Sequence, residues 1–517
     1  MKTESEISEK KKIVIIGGGV AGLSAGIYGQ RAGFDTVIFE KNSSAGGSCS
    51  GWYRDGYAID NCIHWLTGTE EGTLTYDLWK ELGVLGSGTK VVKRDWFWAS
   101  EFNGAVVHLW PDPEKTRAEM LELAPYDANE INAFIDFAKI ANDAVSFPKN
   151  NLGEIVNDIK HLRQVIPPRE FLMNSMQFIG LRNTEWAKKF KSPLLQKLIL
   201  DFCPKEYESY WLILAYSFYI SGNGDIIEGG SIKMASVLKD NYLAAGGTLR
   251  LNTPVKKIKL KKHKLQDIIF HKAEGIILEN DEFVSADYCI VACDVNYTFK
   301  NLLSKRFAPI TLQEIYRDRL KYTFYSAFQV AMAVDGLFEE IPDSLTFPCK
   351  RIEAAYETYN RIGVKNYRKY GDYIAPKGHT VIQVSLDQYE KDCRFWKRLY
   401  EKSPEDYERT KNNVANAILN EIIAKYPQYD NKIRIIDVWT PYSYLKRNND
   451  TNGSFMRFIT TALSVNAFLP QEILGIDNVF LAGHWLRYPG GLPTAAQTGK
   501  DAINLITQKM SKNERKD

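Results

Sequence analysis

The stretch that most constrains this chain is Lys11 to Glu40, KKIVIIGGGVAGLSAGIYGQRAGFDTVIFE. It reads as a strand, a glycine turn, a helix, a second strand and a terminal acid, in the order a parallel α/β unit requires. Ile13 to Ile16 form an apolar run of the buried parallel type. Gly17, Gly19 and Gly22 follow at GxGxxG spacing, before a helical pattern of Leu23, Ile27 and Ala32. Each glycine answers a separate need: Gly17 lets the chain turn sharply, Gly19 leaves room for a pyrophosphate, and Gly22 lets the helix lie close on the sheet. Free N–H groups and the positive end of a helix dipole then face the phosphates. Thr36 to Phe39 returns as a second buried strand, and Glu40 ends it where a ribose diol would donate hydrogen bonds. A lone GxGxxG is equally compatible with a bare glycine-rich turn; the whole unit implies a bound dinucleotide.

With 517 residues the chain is long enough for two or three domains or subdomains around a large core. A composition of 44% hydrophobic and 25% charged residues is that of an ordinary globular protein. The net charge of +3 is too small to argue for nucleic acid. The basic run Lys256 to Lys264 reads as a solvated hairpin edge. Seven cysteines stand without CxxC or Cys/His ligand spacing, so neither a disulfide scaffold nor a metal site is expected, and a reducing cytoplasm fits. The N-terminal MKTESEISEKKK has no apolar core and reads as a frayed leader. The longest apolar stretch, Tyr210 to Ile220, is too short to span a bilayer as a helix. Peripheral membrane contact stays open, and the sequence carries no signal for oligomeric state.

Along the chain the α/β pattern is left twice and regained twice. A second glycine pair, Gly46-Gly47, precedes Gly56, Tyr57 and Asp60. A helix is expected near Thr73 to Leu82, a hairpin turning at Asn103-Gly104, and helices from Pro113 and Asp127. Asn150 to Ile227 reads as helical and aromatic-rich. Its Trp186, Phe190, Phe202, Tyr207, Tyr210, Trp211, Tyr216, Phe218 and Tyr219 either line an apolar pocket or simply pack helices. A helix from Ser231 to Ala245 with a Gly246-Gly247 stop, strands at Thr248–Leu251 and Val255–Leu260, and a buried strand at Ala286–Ala292 restore the α/β pattern. Strands near Tyr325–Val334 and His379–Leu386 and helices near Asp392–Leu399 and Glu405–Lys425 belong to a second insertion. The tail KMSKNERKD reads as loose.

The last section, Asn478 to Asn504, reads as a buried strand Val479–Ala482, a glycine-bearing loop, and a helix from Pro493 behind Gly490-Gly491. A helix N-terminus there suits a reduced flavin, which carries negative charge near N1. The bland alternative is a terminal helix that merely closes the sheet.

Together these segments resemble the FAD-dependent carotenoid desaturase and retinol saturase family, within the larger amine-oxidase-like flavoprotein group. The resemblance rests on Gly17 to Leu23, Glu40, Gly46-Gly47, Gly56-Tyr57 with Asp60, Gly229-Gly230-Ser231 with Val255, Ala286-Asp287, and Pro489-Gly490-Gly491 with Gly499. It implies an α/β fold: a discontinuous Rossmann-like FAD-binding domain of glutathione-reductase type, with an inserted α+β substrate domain. Residues 1–72, 228–295 and 438–517 would form the first, and residues 73–227 and 296–437 the second. The resemblance gives Gly17, Gly19, Gly22, Glu40, Gly46 and Gly47 to the ADP half and Val255 to the adenine. Gly483, Gly490, Gly491 and Leu492 would lie by the ribityl chain and ring. Where that family has Asp-Gly-Pro this chain has Asp60-Asn61-Cys62, a departure that bears on substrate identity.

FAD would carry the redox chemistry, leaving the protein to position a bond and exclude water. No Ser/His/Asp or Cys/His set is present. His64 and His484, next to the expected flavin-facing loops, are the catalytic candidates, each either relaying a proton, shielding the ring, or serving structure alone. Cys62 is either a redox thiol or an inert buried one. Gly222-Asn223-Gly224 does not follow a buried strand, so no separate nicotinamide domain is expected. The leading expectation is an oxidoreductase acting on carbon–carbon double bonds of a lipophilic, isoprenoid or polyene substrate, as desaturase, saturase or isomerase. The alternatives are an amine or protoporphyrinogen-type oxidase, and a flavin-free prenyl-protein-binding module of the dissociation-inhibitor type.

Overall fold

Five parallel strands, drawn from three separate stretches of chain, build the sheet that the glycine turn enters. Their spatial order is Thr248–Arg250, Asp35–Phe39, Lys12–Ile16, Tyr288–Val291 and Val479–Leu481. Ile13, Val14 and Ile15 are fully buried, as a strand covered on both faces requires. One face carries the helices Val20–Arg31 and Gly491–Glu514, which bring the two ends of the chain together. A Cβ at Gly499 would stand 2.4 Å from the Ala21 carbonyl oxygen, so only glycine permits this approach, and the Ser24 hydroxyl donates to the Ala496 carbonyl at 2.7 Å. The other face is covered by the hairpin Val255–Leu265 and Ile268–Leu278, whose exposed edge holds the lysines of the basic run.

The second layer is a seven-stranded sheet in the order Ile433–Trp439, Tyr325–Val334, Thr380–Tyr389, Glu357–Asn366, Ser344–Ala354, Trp98–Phe102 and Ala105–Leu109. Its first strand spans the expected junction at residue 438. Along Glu357–Asn366 the two-residue period is plain: Ile362, Val364 and Asn366 are buried, while residues 361, 363 and 365 face the opposite way with partial access. Ile362 and Val364 pack with Val414, Ile418 and Ile422 of the helix Pro404–Lys425. The opposite face is turned to a cavity. Above the cavity lie helices Pro193–Phe202 and Ser209–Ile220.

The molecule is a computed structural model that describes residues 10–86, 88–145, 173–202, 204–265, 268–454, 456–459, 461, 464, 467–487 and 490–514. The expected leader at 1–9, the first part of the expected helical stretch to residue 172, and Pro489 lie outside them. The architecture is the α/β fold expected, with local corrections. The helical reading to Ile227 fails at its end, where Gly224–Ile227 is a strand between Leu66–Thr67 and Val91–Val92. The tail is helical through Glu514, because Gln508 to Glu514 contains no helix breaker. The closing helix begins at Gly491, two residues before Pro493. The Asn103-Gly104 turn is present between Trp98–Phe102 and Ala105–Leu109, with positive φ at both residues (51° and 81°), as a two-residue hairpin demands. Among the described residues no helix is long and apolar enough to cross a membrane.

Candidate functional site

A continuous cavity of about 2190 Å³ runs between the two sheets. Gly17, Gly19, Glu40, Gly46, Gly47, Val255, Gly483, Gly490, Gly491 and Leu492 all line it, as do His64 and His484. Gly22 does not. A Cβ there would lie 1.9 Å from the Gly17 carbonyl oxygen, so Gly22 serves the turn by staying out of its way. Gly17 has φ +107°, the sharp turn expected of it. Gly19 is different: it is extended, with φ −74° and ψ −178°, and a Cβ would meet nothing closer than the Gly47 Cα at 3.8 Å. The space beside it is held open by Gly46-Gly47, whose Gly46 N–H donates to the Gly18 carbonyl at 2.8 Å.

Glu40 has more to do than await a ribose. Its Oε2 accepts the Gly18 N–H at 2.7 Å, and its Oε1 accepts the Asn42 backbone N–H and side-chain amide at 2.9 and 2.7 Å. The carboxylate thus ties the glycine turn to the end of the second strand and keeps capacity for one further donor. Thr253 N–H donates to the Glu40 carbonyl at 2.8 Å, which brings Pro254 and Val255 to the same end. At the far end, Gly490 and Gly491 have φ of +89° and +81° and lead directly into the closing helix. Gly483 N–H is held by Thr498 Oγ1 at 2.9 Å.

The loop after Asp60 is positioned by a contact that sequence reading did not assign. Asp60 Oδ1 accepts from the N–H groups of Cys62 and Ile63 and from Ser231 Oγ at 2.6 Å, and Oδ2 accepts from Ser231 N–H at 2.7 Å. Asn61, Cys62 and His64 are thereby set on the cavity wall. Burial, followed by the charges of Lys365 and Arg94, pulls the His64 imidazole down to about 3. Burial and then Arg457 pull His484 down to about 4. Both rings are neutral at physiological pH. Lys365 Nζ donates to the His64 carbonyl at 3.0 Å and to Tyr370 Oη at 2.6 Å, and lies 3.4 Å from His64 Nδ1.

The aromatic stretch divides between the two roles open to it. Trp211, Leu214, Ala215 and Phe218 line the cavity, one face of the helix Ser209–Ile220 at i, i+3, i+4 and i+7. Phe202 and Tyr207 join them, with Trp65 stacked on Phe202 at 6.2 Å. Trp186, Phe190, Tyr216 and Tyr219 are buried in the packing behind, and Tyr210 packs against them. Arg94, Lys365, Asp201, Arg361, Gln383 and Asp387 also line the cavity, and no sequence motif pointed to them.

The cavity fits FAD on its own terms. Ligand pockets commonly enclose roughly 300–1,000 Å³, so this one has room for a dinucleotide and a second molecule. Arg447 Nε at the Glu40 end and Asn61 Oδ1 are buried on its wall with no partner among the described residues, as atoms awaiting a bound molecule would be. The glycine turn, the open side of Gly19 and the closing helix N-terminus supply the anion sites a flavin dinucleotide needs.

Comparison with known proteins agrees. Residues 20–506 match the family described as flavin containing amine oxidoreductase. The chain is 22% identical over 533 aligned positions to the 4,4'-diaponeurosporene oxygenase of Staphylococcus aureus, covering 97% of this chain and 99% of that protein. Its fold matches an oxidoreductase from Methanosarcina mazei with a TM-score of 0.59 and 16% identity, over 95% of this chain and 100% of that one. A putrescine oxidase variant matches with a TM-score of 0.60 and 13% identity, over 97% of this chain and 99% of that one. The chain belongs to the flavin containing amine oxidoreductase family and is an FAD-dependent oxidoreductase.

Proposed function

We propose that the chain acts on carbon–carbon double bonds of a lipophilic, isoprenoid or polyene molecule, by desaturation, saturation or isomerisation. The observation that carries this reading is the shape of the cavity, which continues from the cofactor end into a chamber walled by Trp65, Phe202, Trp211, Leu214 and Phe218. Such a wall binds through apolar area and keeps water from the reacting carbons. The similarity to an oxygenase of 4,4'-diaponeurosporene supports it.

Gly17, Gly19, Gly46 and Gly47 would hold the pyrophosphate, Glu40 a ribose hydroxyl, Val255 the adenine, and Gly483, Gly490, Gly491 and Leu492 the ribityl chain and ring. FAD, when bound, accepts or supplies the electron pair of the reaction. His64, neutral, is placed to hydrogen-bond into the cavity; His484, also neutral, shields the cofactor end.

Amine oxidation is a second reading, favoured by Asp387. Its carboxylate lines the cavity, makes no hydrogen bond among the described residues, and is pushed up to about 7 by burial and then by Glu206. An anaerobic titration of the FAD-loaded enzyme decides between the two. Reduction or reoxidation of the flavin by polyenes of differing saturation is expected. Reduction by an amine with peroxide release in air, and no response to any polyene, would replace the first reading with the second.

A further inference from the structure

Two basic side chains stand on the wall of the aromatic chamber, neither paired with a carboxylate among the described residues. Arg94 is 8% exposed and donates Nη2 to the Gly224 carbonyl at 2.8 Å, while its Nε has no partner among the described residues. Its guanidinium lies over Phe97 and Tyr219, with centroid distances of 5.1 and 4.8 Å. Lys365 lines the same cavity and bonds only neutral groups, the His64 carbonyl and ring and the Tyr370 hydroxyl. The carboxylates whose charge reaches Lys365 are committed elsewhere. Asp60 is taken by Ser231, Cys62 and Ile63, and Asp343 pairs with Lys369 at 3.2 Å and accepts the Asp95 N–H. Burial, and then Arg94, hold the Lys365 ammonium well below the usual lysine range.

Neutral hydrogen-bonding groups adjoin them. Gln383 is the cross-strand neighbour of Lys365, and both atoms of its amide are buried without a partner among the described residues. Thr346 Oγ1, on the next strand, is in the same condition. Both side chains are 4% exposed and line the cavity. A buried basic group without a counter-charge and a buried donor without an acceptor each cost the fold stability, and a bound anion answers the basic groups together with the Gln383 Nε2 and Thr346 Oγ1 donors.

We propose that Arg94, Lys365, Gln383 and Thr346 form a carboxylate subsite, so that the substrate is a lipophilic carboxylic acid whose acid end is held here while its chain lies along the aromatic wall. A carboxylate brings one charge and two oxygens that accept about four bonds, which matches two cations flanked by neutral donors. The proposal rests on the chamber being the seat of a lipophilic substrate, and it adds the group that orients that substrate.

All-trans retinoic acid and all-trans retinol, one polyene skeleton with an acid or an alcohol end, test it by equilibrium binding to the FAD-loaded enzyme. The acid is expected to bind at least roughly tenfold more tightly. Lys365→Met and Arg94→Met are expected to remove that preference while the alcohol binds as before, and Lys365→Arg is expected to keep it. FAD content and thermal midpoint show that each variant is folded. Benzoate, an acid without the polyene, separates the two layers of the argument. If it raises the thermal midpoint of the wild type but not of Lys365→Met while neither retinoid binds, the subsite stands and the polyene reading falls. Equal binding of the two retinoids, or no response to either acid, overturns the subsite. A Lys365→Met variant that keeps the acid preference but shifts the flavin midpoint potential also overturns it, since the cations would then serve the reduced cofactor.

Discussion

The two ends of the cavity are made of different material. At the cofactor end the wall is main chain: Gly17, Gly19, Gly46, Gly47, Gly490 and Gly491 bring backbone to the surface, and two helix N-termini supply the positive potential. At the substrate end the wall is side chain, with aromatic rings on one side and Arg94, Lys365, Arg361, Gln383 and Asp387 on the other. Backbone sites are fixed by the turn that makes them, and an added atom there meets either the protein, as at Gly17, or the space of the bound molecule, as at Gly19. Side-chain sites are assembled from strands and helices distant in sequence and tolerate exchange, provided charge is kept balanced. The two ends should therefore fail in different ways when altered.

The sharpest division is expected within the glycine turn itself. A Cβ at Gly22 would collide with the Gly17 carbonyl oxygen, a backbone atom that cannot move aside. Gly22→Ala is expected to lose both FAD and more than about 3 kcal/mol of stability, the upper range for overpacking. A Cβ at Gly19 meets no protein atom closer than 3.8 Å and suits its extended backbone, yet it would stand in the space proposed for the pyrophosphate. Gly19→Val is expected to keep the unfolding midpoint of the cofactor-free protein and to abolish FAD retention. Flavin absorbance after gel filtration, set beside thermal melts of the two apo-proteins, checks this; full flavin occupancy in Gly19→Val would contradict the assignment of the site.

At the substrate end the largest effect is expected from the buried pair of Arg361 and Asp201. Arg361 Nε and Nη2 reach the two Asp201 oxygens at 2.7 and 2.6 Å, and Ser100 Oγ donates to the same carboxylate at 2.8 Å. This joins the helix Pro193–Phe202 to two strands of the large sheet. Arg361→Met leaves a carboxylate buried with only a hydroxyl, which costs about 3–5 kcal/mol. Replacing both, as Arg361→Met with Asp201→Leu, is expected to recover most of that loss, because a packed apolar pair replaces a charged one. Chemical denaturation of the single and double variants decides it. A double variant as unstable as the single would show that the pair acts through geometry rather than charge.

How much of this was legible in the sequence follows the same division. Lys11 to Glu40 and the closing Gly490-Gly491 could be read because each backbone site is encoded in a contiguous motif. Even the Gly499 contact is signalled by a small residue in a helix. The strands Ser344–Ala354 and Glu357–Asn366 were not foreseen. The first carries Pro348 and an irregular register, and the second alternates only over Arg361 to Lys365, behind the polar Glu357, Thr358 and Asn360, so neither shows a sustained apolar alternation. The subsite of Arg94, Lys365 and Gln383 has no local signal at all, since only the sheet register brings Lys365 beside Gln383. His64 and His484, the catalytic candidates, both line the cavity, but what sets their charge lies on other elements.

That last point gives the smallest and most discriminating prediction. His64 is depressed to about 3 by burial and two cations, His484 to about 4 by burial and one. In the unfolded chain both titrate near 6.5. Between 6.5 and the folded values the unfolded state therefore binds more protons, so stability rises with pH through that window and is fully present above it. Lowering the pH from 7 to 5 is expected to cost about 1 kcal/mol per ring, reduced from the full linkage value because both rings keep access to the cavity. His64→Gln and His484→Gln should each flatten the pH dependence of the unfolding free energy, His64→Gln the more. Lys365→Met then provides the finer test: with one cation gone, His64 should begin to bind its proton at higher pH, so the loss on acidification shrinks while that due to His484 is unchanged. Parallel pH profiles for wild type and His64→Gln would mean that the ring is already solvated through the chamber and that burial does not set its charge.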